Sequence, residues 1–240
     1  HIIKLIIGMD AVGGAASVAL MQKLEQSMQK YLDVMKNLAI DDGVVKCETI
    51  IRHGVDFYSA IIDETDKRQA DLLMLGRRSA THPFKRLLFG SVTGKILKYS
   101  RCDILIVPLA SLIQWNTLLL PVIGNQYSER LIEKIMMIGA QNKSKILILP
   151  TADSDVMLNP ATENANKIKQ LCDSRKIQCE LLAQSINPVE SINKVAVEKN
   201  ADIIFLKNHR KFSFNNLLYG NLTEQIIVNS ICGVMVIAEA

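Results

Sequence analysis

The sequence predicts an α/β protein of two tandem, doubly wound domains with parallel sheets, the first of them short of one strand and one helix. Three observations point there. Short apolar runs alternate with longer helical stretches, several of those runs are apolar throughout and bounded by Gly or Pro, and the second half of the chain repeats the order of the first. A strand apolar on both faces is what a parallel sheet covered by helices on each side requires.

The opening "IIKLIIGM" is a β-branched run and predicts a strand, followed after Gly13-Gly14 by a helix from about Ala15 to Ala39. Within that helix Val18, Met21, Leu24, Met28, Leu32 and Met35 recur at helical spacing, so the stripe is expected to pack into a core. Asp41-Asp42-Gly43 stops the helix, "VVKCETIIRHG" alternates as a strand does, and a second helix runs from about Asp56 to Gln69. "ADLLMLG" and "CDILIVP" then predict buried strands, with a helix from Ser91 to Tyr99 between them and Ser91 placed for its N-cap.

After "LASLIQW" the order begins again. "NTLLLPV", "SKILILP", "QCELLAQS", "ADIIFLK" and "GVMVIA" are strands, and "YSERLIEKIMMIGAQN", "NPATENANKIKQLCDSRK", "VESINKVAVEKN" and "LTEQIIVNS" are helices. The ends of the halves superpose residue by residue: Ala70-Asp71 on Ala201-Asp202, Leu75 on Leu206, Gly90 on Gly220, Thr93 on Thr223, Ser100 on Ser230 and Cys102 on Cys232, with one residue gapped between Leu75 and Phe84. The domains are therefore placed at residues 1–110 and 111–240. The terminal strands "DILIVP" and "GVMVIA" are candidates to pair edge to edge, across halves or across chains.

Composition narrows the function. The net charge of +4 is too mild to argue for a nucleic-acid partner, and no apolar run approaches the roughly 20 residues of a membrane helix. Five scattered cysteines without a CxxC pair and four dispersed histidines support neither a disulfide framework nor a metal site. Reduced thiols in the cytoplasm are the expectation.

The stretch "GRRSATHPFKRLLFGSVTGK" carries the candidate site. It is not a Walker loop, which needs four residues between its glycines and a hydroxyl residue after the Lys; Gly90 and Gly94 enclose three, and Ile96 follows Lys95. Its physical means are of another kind. Glycines such as Gly76 and Gly90 let backbone approach a phosphate, and a helix opening at Ser91, Val92 and Thr93 offers free N–H groups, hydroxyls and a positive dipole end. Arg77, Arg78, Lys85, Arg86, Lys95, Lys98 and Arg101 follow with no acid between Asp71 and Asp103.

With "ADLLMLG", "LLFGSV" and "CDILIVP" in this order, and "TLLLPVIGNQYSERLIEKI" opening the second half, the chain resembles a tandem universal stress protein. The resemblance spans essentially the whole chain. It implies two Rossmann-like domains of the adenine nucleotide alpha hydrolase-like type, packed as a pseudo-dimer with a homodimer as a further option. It also implies ATP, with Mg accompanying it, bound by a loop of the form Gly, two residues, Gly, nine residues, Gly-Ser. Carried onto this sequence, the site residues are Gly76, Arg77, Ser79, Gly90, Ser91, Val92 and Thr93, in the first half only. Here Ser79 replaces the middle glycine and ten residues, not nine, precede Gly90. In the second half Lys207 and Arg210 stand at the first two glycine positions and Ile123 at the acidic position that ends the family's first strand, so that site is expected to be lost.

The family's half has five strands with the first central, whereas only four are legible in residues 1–110. Asp10 could imitate the missing acid. If the chain folds alone, the four strands are expected to contract into one sheet, because a lost central strand leaves backbone groups unpaired. Three functions follow: a nucleotide-responsive stress or regulatory module, a ligand-free scaffold acting by dimerisation or partner docking, or the soluble region of a larger protein such as a secondary transporter. No nucleophile elbow, metal cluster or paired carboxylates argues for an enzyme, beyond slow ATP hydrolysis.

Overall fold

The computed structural model describes residues 5–8, 15–53, 56–77, 92–109, 111–125, 127–208 and 222–239. They fall into two compact units, His1–Lys67 and Arg68–Ala240. The sequence repeat, by contrast, divides near residue 110, because the last two strands of the first half share a sheet with the second half.

The first unit holds β1 (Leu5–Gly8), α1 (Ala15–Asp41), β2 (Ile50–His53) and α2 (Phe57–Lys67). β1 and β2 pair in parallel, Leu5 opposite Ile50 through Gly8 opposite His53. Gly43, at φ +93°, makes the left-handed turn that ends α1, as the Asp-Asp-Gly stop signal requires. β2 starts later than the alternation of "VVKCETII" suggests: residues 44–49 hold only a single bridge, at buried Cys47. Part-buried Arg52 forms an ion pair with the buried carboxylate of Glu64, tying β2 to α2.

Two expectations fail in this unit. Of the Met-rich stripe, Leu32 is fully buried, but Leu24, Met28 and Met35 are 44%, 37% and 38% exposed. A helix of 27 residues is about 40 Å long, and two strands of four residues cover only part of it. Nor do the four strands of the first half contract into one sheet: β1 and β2 form a sheet of their own. Each of the four residues of β1 is already matched by one of β2.

The second unit opens with β3 (Leu72–Arg77), α3 (Thr93–Tyr99) and β4 (Asp103–Pro108). It continues with β5 (Thr117–Ile123), α4 (Glu129–Asn142), β6 (Lys145–Ala152), α5 (Asp155–Ser174), β7 (Cys179–Leu181), β8 (Ser185–Ile186), α6 (Pro188–Glu198), β9 (Ile203–Lys207), α7 (Leu222–Asn229) and β10 (Gly233–Ile237). The eight-stranded sheet runs β3-β4-β10-β9-β5-β6-β7, with β8 also on β6. Every pairing is parallel except β4 with β10. In the second half β5 is central, with β6 on one side and β9 on the other, as expected of the family's first strand.

Local signals set the ends of these elements. Ser128 accepts a hydrogen bond from the Leu131 N–H at 3.2 Å and caps α4, and Lys143 at φ +56° closes it in the left-handed region. α5 begins at Asp155, a turn before the Asn159-Pro160 expected to open it, so Pro160 lies inside the helix. "QCELLAQS" divides into β7 and β8, both on β6. The apolar faces of β5, β6, β9 and β10 meet α4 and α5 in one core that includes Leu118, Leu120, Ile135, Ile148, Ile168 and Phe205.

The antiparallel pairing carries the symmetry of the molecule. Leu105 lies opposite Met235, its own equivalent in the repeat, while Ile104 faces Val236 and Ile106 faces Val234. Exchanging the halves exchanges the last two pairs and leaves the first unchanged, which is the signature of a twofold axis through Leu105 and Met235. The edge-to-edge pairing of "DILIVP" with "GVMVIA" is thus present within one chain.

Candidate functional site

In the first half the candidate residues gather where β3 ends and α3 begins. Gly76 lies opposite Val107 and Arg77 opposite Pro108. A Cβ at Gly76 would meet no atom of the described residues within 4 Å. Ser79, Gly90 and Ser91 lie outside the described residues, as does Asp10. α3 starts at Thr93, and Val92 before it, at φ −94° and ψ −56°, gives it no side-chain cap; the expected cap, Ser91, lies outside the described residues.

Arg77 is committed within the protein. Its guanidinium donates to the carbonyls of Val228 at 3.2 Å and Ser230 at 2.5 Å, at the C-terminal end of α7. Those carbonyls have no partner inside the helix and mark its negative end, so a cation there is favoured. Burial pulls the Arg77 pKa below its ordinary value, and Nε is buried without a hydrogen-bond partner. The equivalent residue of the second half does the reciprocal thing. Asn208, which follows Lys207 as Arg77 follows Gly76, is buried and donates through Nδ2 to the Leu97 carbonyl in the last turn of α3, at 2.8 Å. Each half thus fastens the final helix of the other.

A buried carboxylate sits in the same seam. Asp103, 2% exposed, accepts from the Ala238 N–H at 3.0 Å and pairs with Lys134 at 3.0 Å and Arg130 at 3.3 Å, both on α4. Its equivalent in the repeat is Gly233, where a Cβ would stand 2.8 Å from Ile113 Cδ1 and 3.3 Å from the Asp202 carbonyl. The seam is symmetric in its backbone and asymmetric in its side chains. Asp103 was visible in the sequence as the one charge in "CDILIVP"; nothing in the sequence marked Asn208.

At the corresponding strand ends of the second half the described side chains leave little space. Pro121, Ile123, Ser128, Leu131, Leu206, Lys207, Leu222, Thr223 and Ile226 enclose a cavity of about 30 Å³. Lys207, at the first glycine position, reaches Glu239 at 3.6 Å, and Glu239 takes the Ser128 hydroxyl at 2.5 Å. Its positive charge is answered internally. Arg210, Gly220 and Asn221 lie outside the described residues. Among the described residues no group of three His, Cys, Asp or Glu could hold a metal ion, and no helix is long and apolar enough to cross a membrane. The five cysteines are free thiols.

A doubly wound sheet with a glycine one residue before the end of β3, and a short helix following that strand in sequence, belongs to a class of α/β folds whose ligands lie beyond the carboxyl ends of the strands. The sequence model of the universal stress protein family matches residues 8–108 and again 114–238, and the chain belongs to that family. A universal stress protein of Methanocaldococcus jannaschii is 30% identical over 101 residues, 42% of this chain and 56% of that protein. The chain thus spans little more than half the length of that relative. Among solved structures, a universal stress protein from Archaeoglobus fulgidus superposes with a TM-score of 0.77 at 18% identity, covering 98% of this chain and 84% of its own. Another, from Pseudomonas aeruginosa, has a TM-score of 0.67 at 14% identity over 98% and 92% of the two chains. At such identities the likeness is one of fold.

Proposed function

We propose that the chain is a regulatory module of the cytoplasm that responds to an adenine nucleotide, held by the first half alone, with the second half as its structural partner. The observation that carries this reading is the asymmetry between the two strand ends. In the second half Lys207, paired to Glu239, and a cavity of about 30 Å³ replace a ligand pocket, where a small-molecule site needs some 300–1,000 Å³. In the first half a Cβ at Gly76 would meet no described residue within 4 Å. ATP, with Mg, would be met there by backbone at Gly76 and the opening of α3 at Val92 and Thr93, with Ser79, Gly90 and Ser91 contributed by the loop. We assign no catalytic residue.

Isothermal titration with Mg-ATP tests this, beside a Gly76→Val variant whose added Cβ would meet no described residue within 4 Å. Heat from the parent that is lost in the variant is expected. No heat at millimolar ATP, where binding contributes only about 4 kcal/mol, overturns the reading. One observation favours a ligand-free scaffold instead: Arg77, the cation nearest Gly76 in the chain, is spent on α7. A silent titration would leave that scaffold as the function.

A further inference from the structure

Two of the five cysteines share one corner of the second unit. Cys172 lies in the last turn of α5, fully buried in the core between that helix and the sheet. The chain then reverses on itself. The Arg175 and Ile177 N–H groups both donate to the Cys172 carbonyl, at 3.2 and 2.9 Å, and Lys176 turns through the left-handed region at φ +56°. Cys179 opens β7 opposite Ile146 of β6. Residues in register on parallel strands point to the same face, and Ile146 packs into the core that holds Cys172. The Cys179 side chain therefore turns toward α5, where its Sγ lies 3.7 Å from Oδ1 of Asp173, the residue after Cys172. The two thiols come within hydrogen-bonding reach of each other.

The other three cysteines lie elsewhere, Cys47 in the first unit and Cys102 and Cys232 just before β4 and β10. All three are buried, as is Cys172, and Cys179 alone of the five is part-exposed. Burial pushes the Cys172 thiol up to about 12, and burial and the Asp173 carboxylate raise that of Cys179. Both are protonated at neutral pH, so they lack the standing thiolate of a fast peroxide sensor. Exchange with a disulfide runs instead through the small ionised fraction.

We propose that Cys172 and Cys179 are a redox modification site, a dithiol that a small-molecule disulfide converts to an intramolecular disulfide joining the end of α5 to β7. Part-exposed Cys179 loses its proton and attacks one sulfur of the small disulfide, expelling the first thiol. Cys172 then loses its proton and attacks the Cys179 sulfur, breaking the mixed disulfide and expelling the second. The protein gives up two electrons, and the small disulfide is reduced to two thiols. In a reducing compartment such a bond is transient and reports the thiol–disulfide poise. The site is independent of nucleotide binding.

The test incubates the whole protein with excess oxidised glutathione at about pH 8, near the ordinary thiol pKa, quenches with iodoacetamide and maps the tryptic peptides by mass spectrometry. Cleavage after Arg175 and Lys176 separates the two cysteines, so a bond between them appears as peptide 170–175 linked to peptide 177–194. That linked pair is expected, with two of the five thiols lost and full reversal by dithiothreitol. Cys172→Ala, which has no resolving sulfur, should hold glutathione on Cys179, and Cys179→Ala should take up none at buried Cys172. Five alkylated cysteines in the parent overturn the proposal. So does glutathione that stays on Cys179 of the parent, since Cys172 would then fail to reach it. Links between molecules, or between any other two cysteines, overturn it likewise.

Discussion

Replacing Arg77 by Met separates a structural arginine from a ligand-binding one. The variant keeps most of the aliphatic stem and removes the guanidinium, and with it the bonds to the Val228 and Ser230 carbonyls. A hydrogen bond from a charged donor contributes about 1.5–3 kcal/mol, so two would suggest about 3–6. Two effects reduce that. The orphaned carbonyls close a helix end that water can reach, and removal of the buried, unpartnered Nε returns about 1–3 kcal/mol. The expected net loss is about 2 kcal/mol, which lowers the melting temperature by roughly 4–8 °C for a unit of this size. Urea unfolding followed by circular dichroism reads it as a lower midpoint at unchanged slope. A loss under about 0.5 kcal/mol, the range of an ordinary surface change, would refute the strap. If ATP also stabilised the parent and not the variant, Arg77 would be returned to the ligand.

Asp103→Ala removes a buried carboxylate that answers Lys134, Arg130 and the Ala238 amide. Breaking a buried pair costs about 3–5 kcal/mol, and the part-exposed cations temper this to about 2–3, measurable by the same unfolding experiment. Acid should destabilise the second unit. Glu180 is held below its ordinary pKa by hydrogen bonds from Lys145 and Lys199, Glu133 by Arg175 and Asp173 by Lys169. For carboxylates lowered by folding, the stabilisation is complete above the unfolded pKa, about 4, and is lost as pH falls through the folded value. The melting temperature should be level from pH 7 to 5 and drop below about pH 4; a flat profile to pH 3 would show that these pairs contribute nothing.

The second half was the more legible one, and the reason is packing. Its strands are covered on both faces, so "KILILP" and "IIFLK" carry apolar residues throughout and announce themselves. The stripe of α1 recurs at helical spacing, yet Leu24, Met28 and Met35 stand exposed, because periodicity reports which face is apolar and not whether anything lies against it. At the site, the glycine and hydroxyl residues were visible as types, but the sequence showed Arg77 only as one cation in a basic run. Its bond to α7 spans residues 77 to 230, and no local pattern encodes a partner at that distance. Asn208 is silent for the same reason. Ile123 and Lys207, by contrast, were legible as misfits to the family loop, and both line the cavity of about 30 Å³ at the ends of β5 and β9.

The register that places Leu105 against Met235 is the one two identical strands would adopt on meeting. Joining both in a single polypeptide makes their encounter intramolecular, so the seam holds at any dilution. It also frees the two sides from having to be the same. A mutation in a homodimer strikes the interface twice, whereas here Asp103 could become charged while Gly233 stayed without a side chain.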